Sequence, residues 1–537
     1  MVPTPAAQPT PAAQPAPAAQ LAVMARSRGR RRMEAPVPML VVAVLVAAVT
    51  VLPLVVVLPQ ALSGGAEEAW AYLARPRIGT LLSNTGLLVL ATVPATVVVG
   101  TVAAWLVERT DLPGAGIWRT LLLAPLAVPA FVSAYAWITV APSWSGYGGA
   151  VLVTSLAYFP FVFLPVAALL RVLDPADEES ARSLGLGPLR AALRTVLPRL
   201  RPAISGGALL VTLHLLAEFG VLEMMRFQTF TTAIMQQFAV GFSDAPGALL
   251  ASVLVGLCLT TLVVEAVVRG RRRVARLGPG TQRRSTPHAL GAWTPVAVLF
   301  LIALVGGALV VPVATIGRWL VAGGLAAVDT HVVTTTLSTV GLAVAAAVLA
   351  TAAALPGAWL LNRHHAWSTV LLERATFVAS SLPGVVVGLA LVTVTVGWVP
   401  ALYQTVTLLV LAYVILFLPR AMVSLRAGLT AAPPELSEAS RSLGRGGVAT
   451  LVRVVLPLAA PSVLTGAVLV ALAVGTELTA TLLLAPTGTD TLALSFWQAA
   501  SRLDYVEAAP HAALMILLSI PLTVLLRRQI LRREVAR

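Results

Sequence analysis

The chain has 537 residues, 58% of them hydrophobic and only 11% charged, with a mean hydropathy of +0.89. These values exclude a soluble globular domain, and repeated apolar runs of ~18 residues or more indicate a polytopic membrane protein. The formal net charge of +15 comes entirely from arginine, because the chain has no lysine. The single Cys258 lies within an apolar run, which excludes an intramolecular disulfide and suits a small core residue.

In chain order, a Pro/Ala/Gln tract over residues 1–20 cannot bury a core and is expected to be disordered. Arg26, Arg28 and Arg30 to Arg32 precede the first apolar run, 38–59. A basic cluster before an apolar run resembles a secretory signal, but this run is long enough to span and no small-residue cleavage site follows it. It reads as an uncleaved first helix, with Met1, Met24 and Met33 as alternative starts. Further spans are predicted at 81–107, 117–140, 150–171, 203–222 and 249–268, then at 293–316, 333–361, 370–396, 403–425, 463–485 and 510–526. The fold class is all-α, with about twelve transmembrane helices in two six-helix halves. An even number per half gives both halves the same orientation, a parallel repeat. The expected organisation is a cytoplasmic tail (1–36), a first repeat (37–268), an Arg/Gly/Pro-rich linker (269–290), a second repeat (291–527) and a short tail (528–537).

With the amino terminus inside, the inside segments hold 32 arginines and the outside segments only Arg75, Arg77, Arg226, Arg318 and Arg502. This positive-inside asymmetry predicts a multi-pass protein of the cytoplasmic (inner) membrane with both termini cytoplasmic. Attraction to anionic lipid accounts for the arginines, and nucleic-acid binding is not expected.

Two polar islands stand out. Glu179-Ser-Ala-Arg-Ser-Leu-Gly185, closed by Leu197-Pro198, recurs as Glu438-Ala-Ser-Arg-Ser-Leu-Gly444, closed by Leu456-Pro457, at a constant offset of 259 residues. Pro202 and Gly207 recur at that offset as Pro461 and Gly466, and Glu218 as Glu477. Ala104-Trp105-Leu106 and Arg109 match Ala358-Trp359-Leu360 and Arg363, and Val128-Pro129 matches Leu382-Pro383. Each island predicts a short helix, with Asp174 or Asp177 near the start of the first. Glycines in the left-handed region, Gly185 with Gly187 and Gly444, are expected to end the helices. A helix of this kind offers Ala and Leu for packing and a carboxylate for a partner's cation. The alternative is an ordinary amphipathic loop, but the duplicated spacing favours partner docking.

These paired E-x-A-x-x-x-G…L-P loops resemble those of membrane permease subunits of binding-protein-dependent ABC importers. The two-in-one-chain arrangement, with Val128-Pro-Ala, Leu382-Pro-Gly-Val and Glu218-Phe-Gly, is most similar to the ferric-iron permease branch. The chain departs from the family pattern at Ser180, usually Ala, and at Thr195, where a branched apolar residue such as Val454 is usual. The resemblance implies a permease that passes substrate, ferric iron first and thiamine, polyamine or phosphonate as alternatives, from an extracytoplasmic binding protein to the cytoplasm. It also implies docking of a cytoplasmic ATPase dimer through Glu179, Ala181, Leu184, Gly185, Leu197 and Pro198 and through Glu438, Ala439, Leu443, Gly444, Leu456 and Pro457. Without lysine the chain cannot form a G-x-x-x-x-G-K-[ST] phosphate loop, so ATP and Mg belong on the partner and this chain is not itself an enzyme. No cofactor and no metal site are expected on it.

Within the apolar runs, Glu218 and Glu477 follow the two docking loops, and His214 lies one turn before Glu218, where it could pair with it. Intramembrane carboxylates usually face the interior or a wet path, which makes these three residues candidates for the translocation path. The alternative is an interhelical hydrogen bond that fixes packing. Tyr135, Tyr158 and Tyr413 read as core or interfacial aromatics. A secondary transporter with six-plus-six repeats remains an alternative mechanism; it would need no docking loops.

Overall fold

The computed structural model describes residues 37–240, 244–269, 287–324, 329–363, 371–376, 381–430 and 434–535. The expected disordered tail 1–36 and most of the linker lie outside the described residues.

Among the described residues nine helices are long and apolar enough to cross a membrane, from Val37–Ala61 to Leu451–Gly475. Ala115–Ala127 and Ala130–Val140 form a further pair bent by 93°, and Gly384–Trp398 and Tyr505–Pro521 are shorter apolar helices. Each of the twelve predicted spans corresponds to one of these, and the chain is an all-α polytopic membrane protein. The bend falls at Val128-Pro129, where proline lacks the N–H that would continue the helix and Pro129 is extended at ψ 139°. Pro383 has the same place and conformation before Gly384–Trp398 (φ −62°, ψ 146°).

Three predicted spans differ from the structure in a way that matters for the site. The helices expected at 203–222 and 463–485 begin earlier, at the Leu-Pro that closes each island, and stop at Ala217 and Gly475. Short helices, Gly220–Met224 and Thr479–Leu484, follow each break. The last helix, Tyr505–Val535, runs on through the segment expected to be a tail.

The halves are built alike. In the first, Pro76–Arg109 packs on Tyr147–Val172, and both pack on Leu197–Ala217; in the second, Thr330–Arg363, Val406–Thr430 and Leu456–Gly475 form the matching trio. The duplicated glycines explain how these backbones approach. A Cβ at Gly207 would lie 2.8 Å from the Val162 Cα, and one at Gly466 would lie 2.8 Å from the Ser424 Cβ. Without a hydrophobic drive between helices in lipid, such small-residue contacts carry the association. The first helix of each half crosses over. Val37–Ala61 packs against Thr330–Arg363 and Gly384–Trp398, and Val311–Gly323 packs against Ala130–Val140. An aromatic cluster fills the centre between the halves: Phe496 lies 5.5 Å from Phe131 and 5.2 Å, edge-on, from Tyr135, whose hydroxyl donates to the Tyr505 carbonyl at 3.1 Å.

Candidate functional site

The two islands form short helices, Ala176–Ser183 and Pro434–Ser442. Asp174 accepts the Ala176 N–H at 3.0 Å, and Asp177 pairs with Arg199. Both helices end as the glycines demand: Gly185 has φ +86° and Gly444 φ +80°. In the first, the Gly185 N–H donates to the Arg182 carbonyl (3.0 Å) and the Leu186 N–H to the Ala181 carbonyl (3.2 Å). In the second, the Arg445 N–H reaches the Ser440 carbonyl at 3.2 Å. These are the bonds of the left-handed helix stop. Gly187 follows without a positive φ, so Gly185 alone makes the turn.

The chain then re-enters a helix through one π turn in each copy, Ala192–Val196 and Leu451–Val455. Pro198 and Pro457 follow directly at the second position of the long helices, and the Leu197 and Leu456 N–H groups donate five residues back, to Ala192 and Leu451. The L-P signature therefore marks where the proline's missing N–H widens the helix by one residue.

Burial separates the residues of the islands. Glu179 and Glu438 are exposed and have no side-chain hydrogen bond or ion pair among the described residues. Leu184 and Leu443, five residues on and just past the helix ends, are 85% and 81% exposed. Ala439 is exposed as well, but Ala181, expected beside it at the contact surface, is buried against its own chain. Its register partner Ser440 is buried too and hydrogen bonds Thr450 at 3.0 Å. Ala181 thus seats the helix rather than facing outward. Leu197, Pro198 and Pro457 are exposed and Leu456 is half-buried.

The membrane carboxylates sit at the two helix breaks. Glu218 follows the last turn of Leu197–Ala217 and its Oε1 accepts the Val221 N–H at 2.9 Å; Glu477 follows Leu456–Gly475 and accepts the Ala480 N–H, also at 2.9 Å. Each carboxylate therefore caps the short helix beyond the break, satisfying an orphan donor at its positive end. The Tyr158 hydroxyl donates to the other oxygen of Glu218. His214 has no hydrogen bond to Glu218 among the described residues; its Nδ1 contacts the Leu210 carbonyl at 2.8 Å and its ring lies 4.4 Å from Phe161 and 5.7 Å from Tyr158. His214, Glu218 and Glu477 are all half-buried, His214 in the last turn of its helix and the two glutamates just beyond the breaks.

Three further residues join this region. Arg420, counted with the loop arginines from sequence, is inside Val406–Thr430, exposed, with its guanidinium 5.1 Å from the Phe417 ring centre. It lies within electrostatic range of Glu477 and His214, and Glu477 within range of Glu218. Tyr413 bonds Thr481 at 2.8 Å beside Glu477. At Gly384 a Cβ would lie 2.9 Å from Glu477 Oε1, so the Leu382-Pro-Gly turn lies close to the carboxylate and a larger residue there would displace it.

Residues 351–531 match the family model for the binding-protein-dependent transport system inner membrane component. The chain is 32% identical over 480 residues to the Fe(3+)-transport system permease protein FbpB 2 of Haemophilus influenzae, covering 87% of this chain and 93% of that protein. It is 26% identical over 245 residues to the sulfate transport system permease protein CysW of Synechocystis, 42% of this chain and 88% of that one. It is 27% identical over 251 residues to the sulfate transport system permease protein CysT of Escherichia coli, 42% of this chain and 90% of that one. One sulfate permease thus corresponds to less than half of this chain, whereas the iron permease runs through both halves. The chain belongs to the family of binding-protein-dependent transport system inner membrane components, as a permease that carries two repeats in a single chain.

Proposed function

We propose that this permease imports ferric iron, driven by a separate cytoplasmic ATPase dimer that engages one docking helix in each half. The carrying observation is the matched pair of exposed carboxylates, Glu179 and Glu438, without partners among the described residues and each five residues from an exposed leucine. The halves are 37–268 and 291–527, joined by 269–290. ATP and Mg reside on the ATPase, whose closure rocks the halves about their aromatic seam. An extracytoplasmic binding protein delivers substrate to the opposite face. His214, Glu218 and Glu477 line the path, and the two carboxylates, with the Tyr158 phenol, offer oxygen donors that suit a hard cation in transit. The iron permease's match across both halves favours ferric ion over sulfate.

Reconstituted with its ATPase and binding protein in proteoliposomes, the permease should take up labelled ferric ion only when ATP is present on the ATPase side. Uptake of sulfate in its place overturns the substrate assignment. Orientation has its own test. In a Cys258→Ala background, cysteines at Ser183 or Ser442 should react with a membrane-impermeant thiol reagent in inverted vesicles and stay unlabelled in intact cells. Labelling of intact cells reverses the topology.

A further inference from the structure

The first docking helix is held by a residue that arrives from the other end of the linker. Glu178, next to the exposed Glu179, is only 4% exposed. Its Oε1 lies 2.7 Å from His288 Nε2, and its Oε2 lies 3.8 Å from Nη1 of Arg109, itself 1% exposed; both are contacts at ion-pair distance without hydrogen-bond geometry. Arg109 also donates to the carbonyl of Leu173, at the entry to the docking helix, at 3.2 Å. A buried carboxylate is tolerated only when paired, so these contacts decide how the helix sits.

His288 belongs to the segment that leads into the second half, and it is fixed on several sides. Its N–H donates to the Arg109 carbonyl at 2.8 Å and its carbonyl accepts the Asp111 N–H at 3.1 Å. Asp111 in turn accepts the Leu290 N–H at 2.8 Å. The imidazole stacks on Trp105, centroids 5.8 Å apart and planes within 13°. Three residues later begins the Gly291–Gly323 span of the second half. In the second docking helix Ser437 stands in register with Glu178, so that helix has no carboxylate at this place.

We infer that His288 is a positioning residue for the first docking helix. By holding Glu178 it sets the angle at which Glu179 and Leu184 face outward, and it joins that helix directly to the start of the second half. The inference rests on the docking reading above. The two docking helices are then held by different chemistry: a push on the first reaches both halves, whereas the second is seated by Ser440 and Thr450 within its own half.

The test begins with the purified full-length permease without its ATPase, in a Cys258→Ala background, with one spin label at Ser180 or at Ala439, both exposed. His288→Ala should raise label mobility at Ser180 and leave Ala439 unchanged; His288→Gln, whose amide keeps a polar group at the same place, should restore the Ser180 spectrum. In the reconstituted complex His288→Ala should keep ATPase co-purification and lower substrate moved per ATP by about tenfold, within the range of one interaction between residues in contact. Glu178→Gln and His288→Ala together should lose less than the sum of the two single losses, because both act on the same contact while Arg109 still faces residue 178. A Ser180 spectrum unmoved by His288→Ala, equal changes at both labels, or additive losses of coupling overturn the inference. ATPase retention by a Glu179→Ala/Glu438→Ala variant would remove the docking reading instead and leave the spin-label result standing.

Discussion

The double variant Glu179→Ala/Glu438→Ala is expected to lose ATPase co-purification almost completely, while each single variant only weakens it. Both carboxylates are exposed and unpartnered among the described residues, so their removal takes nothing from the permease's own contacts and its yield should stay at the wild-type level. At a docked interface the same groups are partly desolvated against a partner's cations. Truncating one member of such a pair costs roughly 2–5 kcal/mol, much of it from leaving the other charge buried and unpaired. With one ATPase per half, a single loss leaves the second contact to retain the dimer, and two losses do not. Gly185→Val and Gly444→Val act by another route. Their φ of +86° and +80° is closed to a β-branched residue, so the helix stop is lost and Leu184 or Leu443 is re-aimed. These variants should retain part of the association but hydrolyse ATP without uptake. Wild-type co-purification by the double glutamate variant would mean that these helices are not the docking elements.

What the sequence carried about this molecule was mostly what a repeat and a hydropathy profile can carry. The twelve apolar segments were legible because a membrane imposes a length on each, and the islands were legible because polar residues in register are rare in such a chain. Gly185 and Gly444 could be assigned to helix ends because local backbone chemistry decides that conformation. The breaks at Glu218 and Glu477 were hidden. Both residues follow unbroken apolar runs, and only the tertiary setting makes a short capped helix preferable to one more turn. The partner of Glu218 was hidden for a similar reason: helical periodicity points to His214, one turn away, but Tyr158 comes from a different helix. Ala181 was misplaced outward because spacing alone does not fix which face of a two-turn helix meets its own chain. Arg109 showed only as a repeat match to Arg363, and its meeting with Glu178 and His288 left no signal, because it depends on how the linker returns to the first half.

Glu218→Gln and Glu477→Gln are expected to assemble normally and to transport poorly, which separates the two roles each carboxylate has. One role is structural: Glu218 caps Gly220–Met224 through Val221 N–H, and Glu477 caps Thr479–Leu484 through Ala480 N–H. Glutamine keeps an acceptor oxygen at the same reach, so the caps survive and complex yield and Tm should hold. The other role needs charge. Both side chains are half-buried beside apolar helices and close enough to feel each other and Arg420. A cation crossing here exchanges water for these oxygens, and a hydrogen bond or contact to a charged group in such a place is worth ~1.5–3 kcal/mol. Losing one charge should therefore slow uptake by about tenfold or more, with ATPase co-purification unchanged. Alanine is the contrasting substitution. It removes the cap as well, at a cost of ~0.5–2 kcal/mol, so Glu218→Ala and Glu477→Ala should lower Tm where the glutamine variants do not. Tyr158→Phe, which deletes only the phenol that donates to Glu218, should fall between wild type and Glu218→Gln in uptake. If the glutamine variants transport at the wild-type rate while the alanine variants are merely less stable, then both carboxylates are helix caps and the path runs past other residues.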